Sequence, residues 1–144
     1  MKLSKKGEYG IRAVSHLAEY WSEGVIHSRR IAEVESLPPK FLESILLQLK
    51  RAGLVQSRRG VEGGYRLARA PEAVMLGEVI RALDGPLAPL GSADELRDLM
   101  KHEERQAGFY SILLDVRDAA SSILDRTSLA EMVSRNIALR KPSG

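Results

Sequence analysis

The segment from Arg58 to Arg69 restricts the possible folds of this chain more than any other: Arg58-Arg59-Gly60-Val61-Glu62-Gly63-Gly64-Tyr65-Arg66-Leu67-Ala68-Arg69. Residues 54–59 before the glycines read as one short strand, and Tyr65 and Leu67 after them point to one side of a returning strand. The expectation is a short basic β-hairpin with its turn at Gly60–Gly64. A glycine-rich loop can also cradle a nucleotide phosphate, but a P-loop or dinucleotide fingerprint is followed by a helix and spaces its glycines differently.

The residues upstream set what this hairpin is attached to. From Lys5 to Trp21, Tyr9, Ala13, Leu17 and Tyr20/Trp21 fall on one helical face. Gly24-Val25-Ile26-His27 breaks that pattern. Ser28 stands at the N-cap position of a short second helix carrying Ile31, Ala32 and Val34. Leu37-Pro38-Pro39 ends it, because a residue before proline is pushed out of the helical region, whereas proline itself fits a first turn. Pro39 therefore opens a third helix. Leu42, Ile45, Leu46 and Leu49 recur at i, i+3, i+4 and i+7 and bury one face, and Gly53 stops the helix before Leu54-Val55. Two helices joined by a tight turn and followed by a hairpin make a winged helix-turn-helix.

The face of the third helix opposite the leucines carries Lys40, Glu43, Ser44, Leu47 and Arg51. Recognition helices present their N-terminal residues to base edges in the major groove. Lys40 suits guanine O6 and N7, Glu43 suits the cytosine N4 amino group, and Ser44 serves either role, with Gln48 deeper in the helix. A solvated Glu43–Lys40 pair at i, i+3 is the alternative for the carboxylate. Phosphate or minor-groove contacts are expected from Lys2, Lys5, Lys6, Arg29, Arg30, Arg51, Arg58, Arg59 and Arg66, with Gly63 and Gly64 letting the wing backbone come close.

Charge distribution agrees with this division. Residues 1–70 hold 13 lysines and arginines against 7 acidic residues, net +6, whereas residues 71–144 hold 9 against 12, net −3. One half is fitted to meet a polyanion. The chain has no cysteine, which excludes disulfides, thiolate nucleophiles and Cys-ligated zinc or iron–sulfur clusters. No apolar run reaches the roughly 18 residues of a membrane span and no secretory signal opens the chain, so a cytoplasmic location is expected. Asp94, Asp98, His102, Glu103 and Glu104 follow no recognised ligand spacing, and no metal or other cofactor is expected. There is no Gly-x-Ser-x-Gly elbow, His-Glu-x-x-His or Walker loop, so an enzyme is not expected. A winged helix used only for protein contact is the remaining rival, but it has no need for the clustered arginines of the wing.

The chain resembles the family of bacterial winged-helix transcription regulators typified by IscR, NsrR and CymR, the Rrf-two type. The residues that carry the resemblance are Lys6-Gly7-Glu8-Tyr9-Gly10-Ile11-Arg12-Ala13, Leu17-Ala18, Ile31-Ala32, Leu42-Glu43 to Leu49, and Gly53-Leu54-Val55. They continue through Arg59-Gly60, Gly63-Gly64-Tyr65, Leu67-Ala68-Arg69 and Pro71. The resemblance implies a homodimer on a partly palindromic operator, usually a repressor, with an effector site between the winged helix and a long dimerisation helix. Cluster-binding members carry three cysteines in the stretch corresponding to about residues 86–105. This chain has none and is similar to the cluster-free branch. The effector classes left open are a small molecule near the dimer helix, a partner protein, or none.

The second half supports that layout from its own residues. Met75 to Leu83 reads as a short helix, broken by Asp84-Gly85-Pro86-Leu87-Ala88-Pro89. Ser92 with Glu95 is a capping box. Phe109, Ile112, Leu113, Val116, Ala119, Ala120, Ile123 and Leu124 mark one apolar face on a helix from about Gln106 to Arg126, roughly 30 Å long. Self-pairing is the expected use of that face, and core packing is the alternative. A second capping signature, Ser128 with Glu131, opens a last helix over Leu129–Leu139. The expected organisation is mostly α with a small β-hairpin wing: a winged helix-turn-helix over 1–85, a linker or effector region over 86–105, and dimerisation and C-terminal helices over 106–144.

Overall fold

The computed structural model describes residues 3–85 and 92–140. Helix α1 spans Lys5–Glu19 and is capped by the Ser4 hydroxyl, which accepts from the Gly7 N–H at 3.0 Å. Its buried side includes Gly7, Gly10, Ala13, Val14 and Leu17. Small residues there let another helix come close: a Cβ on Gly10 would lie 2.0 Å from Leu83 Cδ1. The helix ends before Trp21, short of the expected boundary, and Trp21–Glu23 forms a 3₁₀ turn instead. Gly24, at φ +75°, then reverses the chain.

Helix α2 spans Ser28–Glu35. Its cap is His27, not Ser28 as the sequence suggests: the imidazole Nδ1 accepts from the Arg29 N–H at 3.1 Å, which leaves the Ser28 hydroxyl free for a tertiary partner. Helix α3 spans Pro39–Arg51, opened by Pro39 and followed by Gly53 at φ +78°. Leu42, Ile45, Leu46 and Leu49 are all buried. Strands β1 (Val55–Arg58) and β2 (Gly64–Leu67) pair antiparallel, Val55 opposite Leu67 and Arg58 opposite Gly64. One pairing has no counterpart in the sequence reading. Ile26 and Tyr65 exchange both backbone hydrogen bonds, each 2.8 Å, so the loop before α2 adds a third, one-residue strand to the wing.

Helices α4 (Leu76–Asp84), α5 (Ala93–His102), α6 (Ala107–Asp125) and α7 (Leu129–Leu139) complete the chain. Residues 74–76 run beside 127–129, with Leu76 N–H to Thr127 O at 2.8 Å and Leu129 N–H to Val74 O at 2.9 Å. That places Leu129, fully buried, in the same core as Leu17, Ile31, Ile45, Leu49 and Leu67. Each such side chain contributes about 1.5–3 kcal/mol on burial. Helix α7 packs on its own α1, where Arg140 forms two bonds to Glu19 at 2.6 and 2.7 Å and Asn136 donates to Ser15 at 3.0 Å. Hydrogen bonding from Arg140 holds the Glu19 carboxyl below the usual carboxylate range.

Helix α6 differs from the others in having no buried side chain. It packs on α5 and α4, and an Arg81–Asp125 pair at 2.6 Å ties it to α4. Leu113, Ala120 and Leu124 are half-buried along one edge of the apolar face. Phe109, Ile112, Val116 and Ile123 are each more than half exposed, at intervals of three, four and seven residues.

Candidate nucleic-acid interface

Burying Leu42, Ile45, Leu46 and Leu49 fixes the rotation of α3, and Lys40, Glu43, Ser44, Leu47, Lys50 and Arg51 all face outward. Lys40 has no carboxylate partner among the described residues, so Glu43 does not form the i, i+3 pair with it. Glu43 is instead bonded by two other elements: Ser28 Oγ donates to Oε1 at 2.6 Å and Tyr65 Oη donates to Oε2 at 3.2 Å. Burial, reinforced by the Glu43 charge, pushes the Tyr65 phenol up from its ordinary value. Ser44 Oγ donates to the Phe41 carbonyl at 2.8 Å, the usual back-bond of a helical serine. Gln48 departs from expectation. Its side-chain amide, half-buried, donates to the Ala82 carbonyl at 2.8 Å and joins α3 to α4 rather than facing outward with Lys40 and Ser44.

On the wing, Arg58 and Arg59 are exposed and form no ion pair among the described residues. Arg66 differs: its guanidinium lies 4.6 Å from the Trp21 ring centroid and its Nε is buried, so it fastens β2 to the turn after α1. The two glycines also have a role within the protein. A Cβ on Gly63 would meet the Arg58 carbonyl oxygen at 2.3 Å, and one on Gly64 the Ile26 carbonyl oxygen at 2.2 Å, with Gly64 at φ +154°. Both are needed for the wing to close on itself and on residue 26. The tip is open, and Val61 is fully exposed there.

The remaining basic residues divide sharply. Arg29, at the start of α2, is exposed and unpaired among the described residues. Its neighbour Arg30 is occupied, bonded to Glu23 at 2.7 and 3.2 Å and stacked 4.7 Å from the Tyr20 centroid, so its charge is already paired at the surface. Lys5 lies 3.8 Å from Glu8 and 5.7 Å from the Tyr9 centroid, and Lys6 is half-buried. Lys2 falls outside the described residues. Lys50 was not among the sequence candidates, because it is not on the face of α3 read as opposite the leucines. It joins Arg58, Arg59, Ser57 and His27 around a cleft of about 350 Å³ between α3 and the wing. A second cleft, about 430 Å³, runs between α2 and α3 past Arg29 and Pro39. The two share His27, Ser28 and Glu43 as a common wall.

Comparison with known proteins gives this surface a context. Residues 3–135 match the Rrf2 family model, described as an iron-dependent transcriptional regulator. The transcriptional regulator CymR of Bacillus subtilis is 35% identical over 134 residues, covering 93% of this chain and 91% of CymR. IscR of Aliivibrio salmonicida is 34% identical over 140 residues, covering 94% of this chain and 79% of that protein. The structure of B. subtilis CymR, the global cysteine regulator, superposes with a TM-score of 0.76 at 34% identity, covering 94% and 98% of the two chains. The iron in the family description does not fit the residues present. The chain has no cysteine, no three His, Asp or Glu side chains are grouped to hold an ion among the described residues, and residues 86–91 contain none of these types.

Proposed function

The chain belongs to the Rrf2 family of transcriptional regulators, and from that premise we propose that it is a repressor that reads an inverted-repeat operator as a homodimer, without an iron–sulfur cluster. That it is a DNA-binding transcription regulator and not an enzyme follows from its family. One observation carries the finer reading: Arg29, Lys50, Arg51, Arg58 and Arg59 are exposed and unpaired among the described residues, on the face where α3 presents Lys40, Glu43 and Ser44.

In this reading Lys40, Glu43 and Ser44 meet base edges in the major groove. The five unpaired cations hold phosphates, and the wing tip with Arg58 and Arg59 approaches the minor groove. Gln48, Arg30 and Arg66 are left out because each is engaged within the protein. Two copies pair through the exposed stripe of Phe109, Ile112, Val116 and Ile123, with Leu113, Ala120 and Leu124 at its edge, which sets two recognition helices about one DNA turn apart or a multiple of it. The region over residues 92–105 beside α6 is where a small-molecule or protein effector would bias that pairing, and the expected setting is cytoplasmic.

Selection of genomic DNA fragments by the purified protein at fixed salt tests the proposal. One shared inverted repeat upstream of a few genes is the expected result, with transcription of those genes rising when the protein is absent. Uniform binding without a preferred sequence would overturn operator reading, and a fall in transcription would overturn repression.

A further inference from the structure

We infer that Tyr65 and Ser28 are specificity-setting positioning residues: by bonding both oxygens of Glu43, they govern which base the recognition helix tolerates opposite it. The inference rests on the DNA-reading function above and extends it to two residues that touch no base themselves.

The two oxygens of a carboxylate offer about four lone-pair sites and no donor. Facing a groove, it accepts well from the amino hydrogens of cytosine but is repelled by guanine O6 and N7, by thymine O4 and by phosphate. A free carboxylate at this position would discriminate strongly and weaken binding to most sequences. Here the carboxylate is not free. Ser28 Oγ holds one oxygen at 2.6 Å and the Tyr65 hydroxyl holds the other at 3.2 Å, from α2 and from the wing. Bonds to an ionised acceptor are the stronger class of hydrogen bond, so these donors compete directly with an incoming base.

Both donors are themselves fixed. Ser28 is the first residue of α2, and because His27 supplies the cap its hydroxyl is not drawn into the helix end. Tyr65 has its backbone N–H and carbonyl both bonded to Ile26 at 2.8 Å, with Gly64 pressed against the same carbonyl. The phenol is therefore aimed by the wing base and has little freedom to follow a moving carboxylate. The result is a Glu43 whose charge is partly satisfied and whose position is held, so bases other than cytosine are rejected less than they would be by an untethered carboxylate.

Removing one donor should sharpen the preference. In Tyr65→Phe one carboxylate oxygen loses its partner, and preference for cytosine at the position opposite Glu43 is expected to rise about tenfold, the lower end of the scale for one hydrogen bond to a charged acceptor. Ser28→Ala should act in the same direction. The experiment selects sites from a randomised operator with full-length wild type, Y65F, S28A, E43A and Y65F/E43A at one salt concentration, then measures affinity for the selected duplex with each base at each position.

The expected result is a shift at one position of each half-site in Y65F and S28A, absent from Y65F/E43A relative to E43A. A Y65F variant that weakens every duplex by one factor, or whose shift persists without Glu43, would overturn the inference and leave Tyr65 as packing. Those outcomes presuppose a selected operator. Wild type that selects none refutes the DNA-reading function itself, which separates the two failures.

Discussion

The salt dependence of DNA binding tests the division of the arginines into free and engaged. Arg29, Lys50, Arg51, Arg58 and Arg59, the unpaired cations assigned to phosphates, number ten in the proposed two-fold dimer. Each phosphate neutralised contributes about −0.9 to the slope of log K against log salt, so the wild-type slope should be about −9. Arg58→Ala with Arg59→Ala removes four of the ten and should bring the slope to about −5.4. Between 50 and 200 mM salt, wild type would then lose about 10⁵-fold in affinity and the double variant about 10³-fold. Arg30→Ala is the informative control. Glu23 already neutralises Arg30, and its hydrogen bonding holds that arginine above and that glutamate below their ordinary values, so its removal should leave the slope unchanged. Fluorescence anisotropy with one labelled operator at five or more salt concentrations measures all three slopes. A lower slope in Arg30→Ala, or an unchanged slope in the wing variant, would refute the reasoning.

Other expectations concern the wing, the dimer and the C-terminal helix. Gly64→Ala places a Cβ against the Ile26 carbonyl at an unfavourable φ and should cost about 2 kcal/mol or more, seen as a lower denaturation midpoint together with weaker operator binding. Ile112→Asp with Val116→Asp puts charge into the exposed stripe of α6 and should convert a dimer to monomer in sedimentation experiments; a persistent dimer would place the interface elsewhere. Glu19 is held below the ordinary glutamate range by Arg140, so the contribution of this pair is fully present above about pH 4.5 and is lost as pH falls through the lower folded value. Amide-exchange protection of α7 should therefore fall with acidification before that of α3, and Arg140→Ala should remove the difference.

Much of the scaffold was legible because its signals are local. Pro39, the Leu42–Leu49 spacing and Gly53 fix α3 without reference to the rest of the chain, and the Ser92 and Ser128 caps lie where the pattern places them. The site was legible only in its residue types. Which arginines are free depends on Glu23 beside Arg30 and Trp21 beside Arg66, 7 and 45 positions away in sequence, and neither contact has a periodicity to betray it. His27 and Ser28 are adjacent potential caps, and the Ser28–Glu43 bond reaches 15 residues along the chain. The Ile26 pairing is a strand of one residue, too short to leave an alternating pattern. Gln48 was expected deeper in the helix than the other base-reading candidates, but that α4 crosses this edge of α3 and supplies the Ala82 carbonyl has no local signal.

The wing is secured at its base and unencumbered at its end. Gly63, Gly64, Tyr65 and Arg66 are each in close contact with neighbouring backbone or side chains, whereas no atom approaches a Cβ placed on Gly60 and Val61 is fully exposed. Reach and aim are thus separately adjustable in this molecule. Exchanges at Val61 and Glu62 would reshape the probe without turning it, while a single methyl group at Gly64 would redirect the whole hairpin. A lineage of such proteins could change which flanking sequence it grips by altering these two residues, with no new demand on the fold beneath.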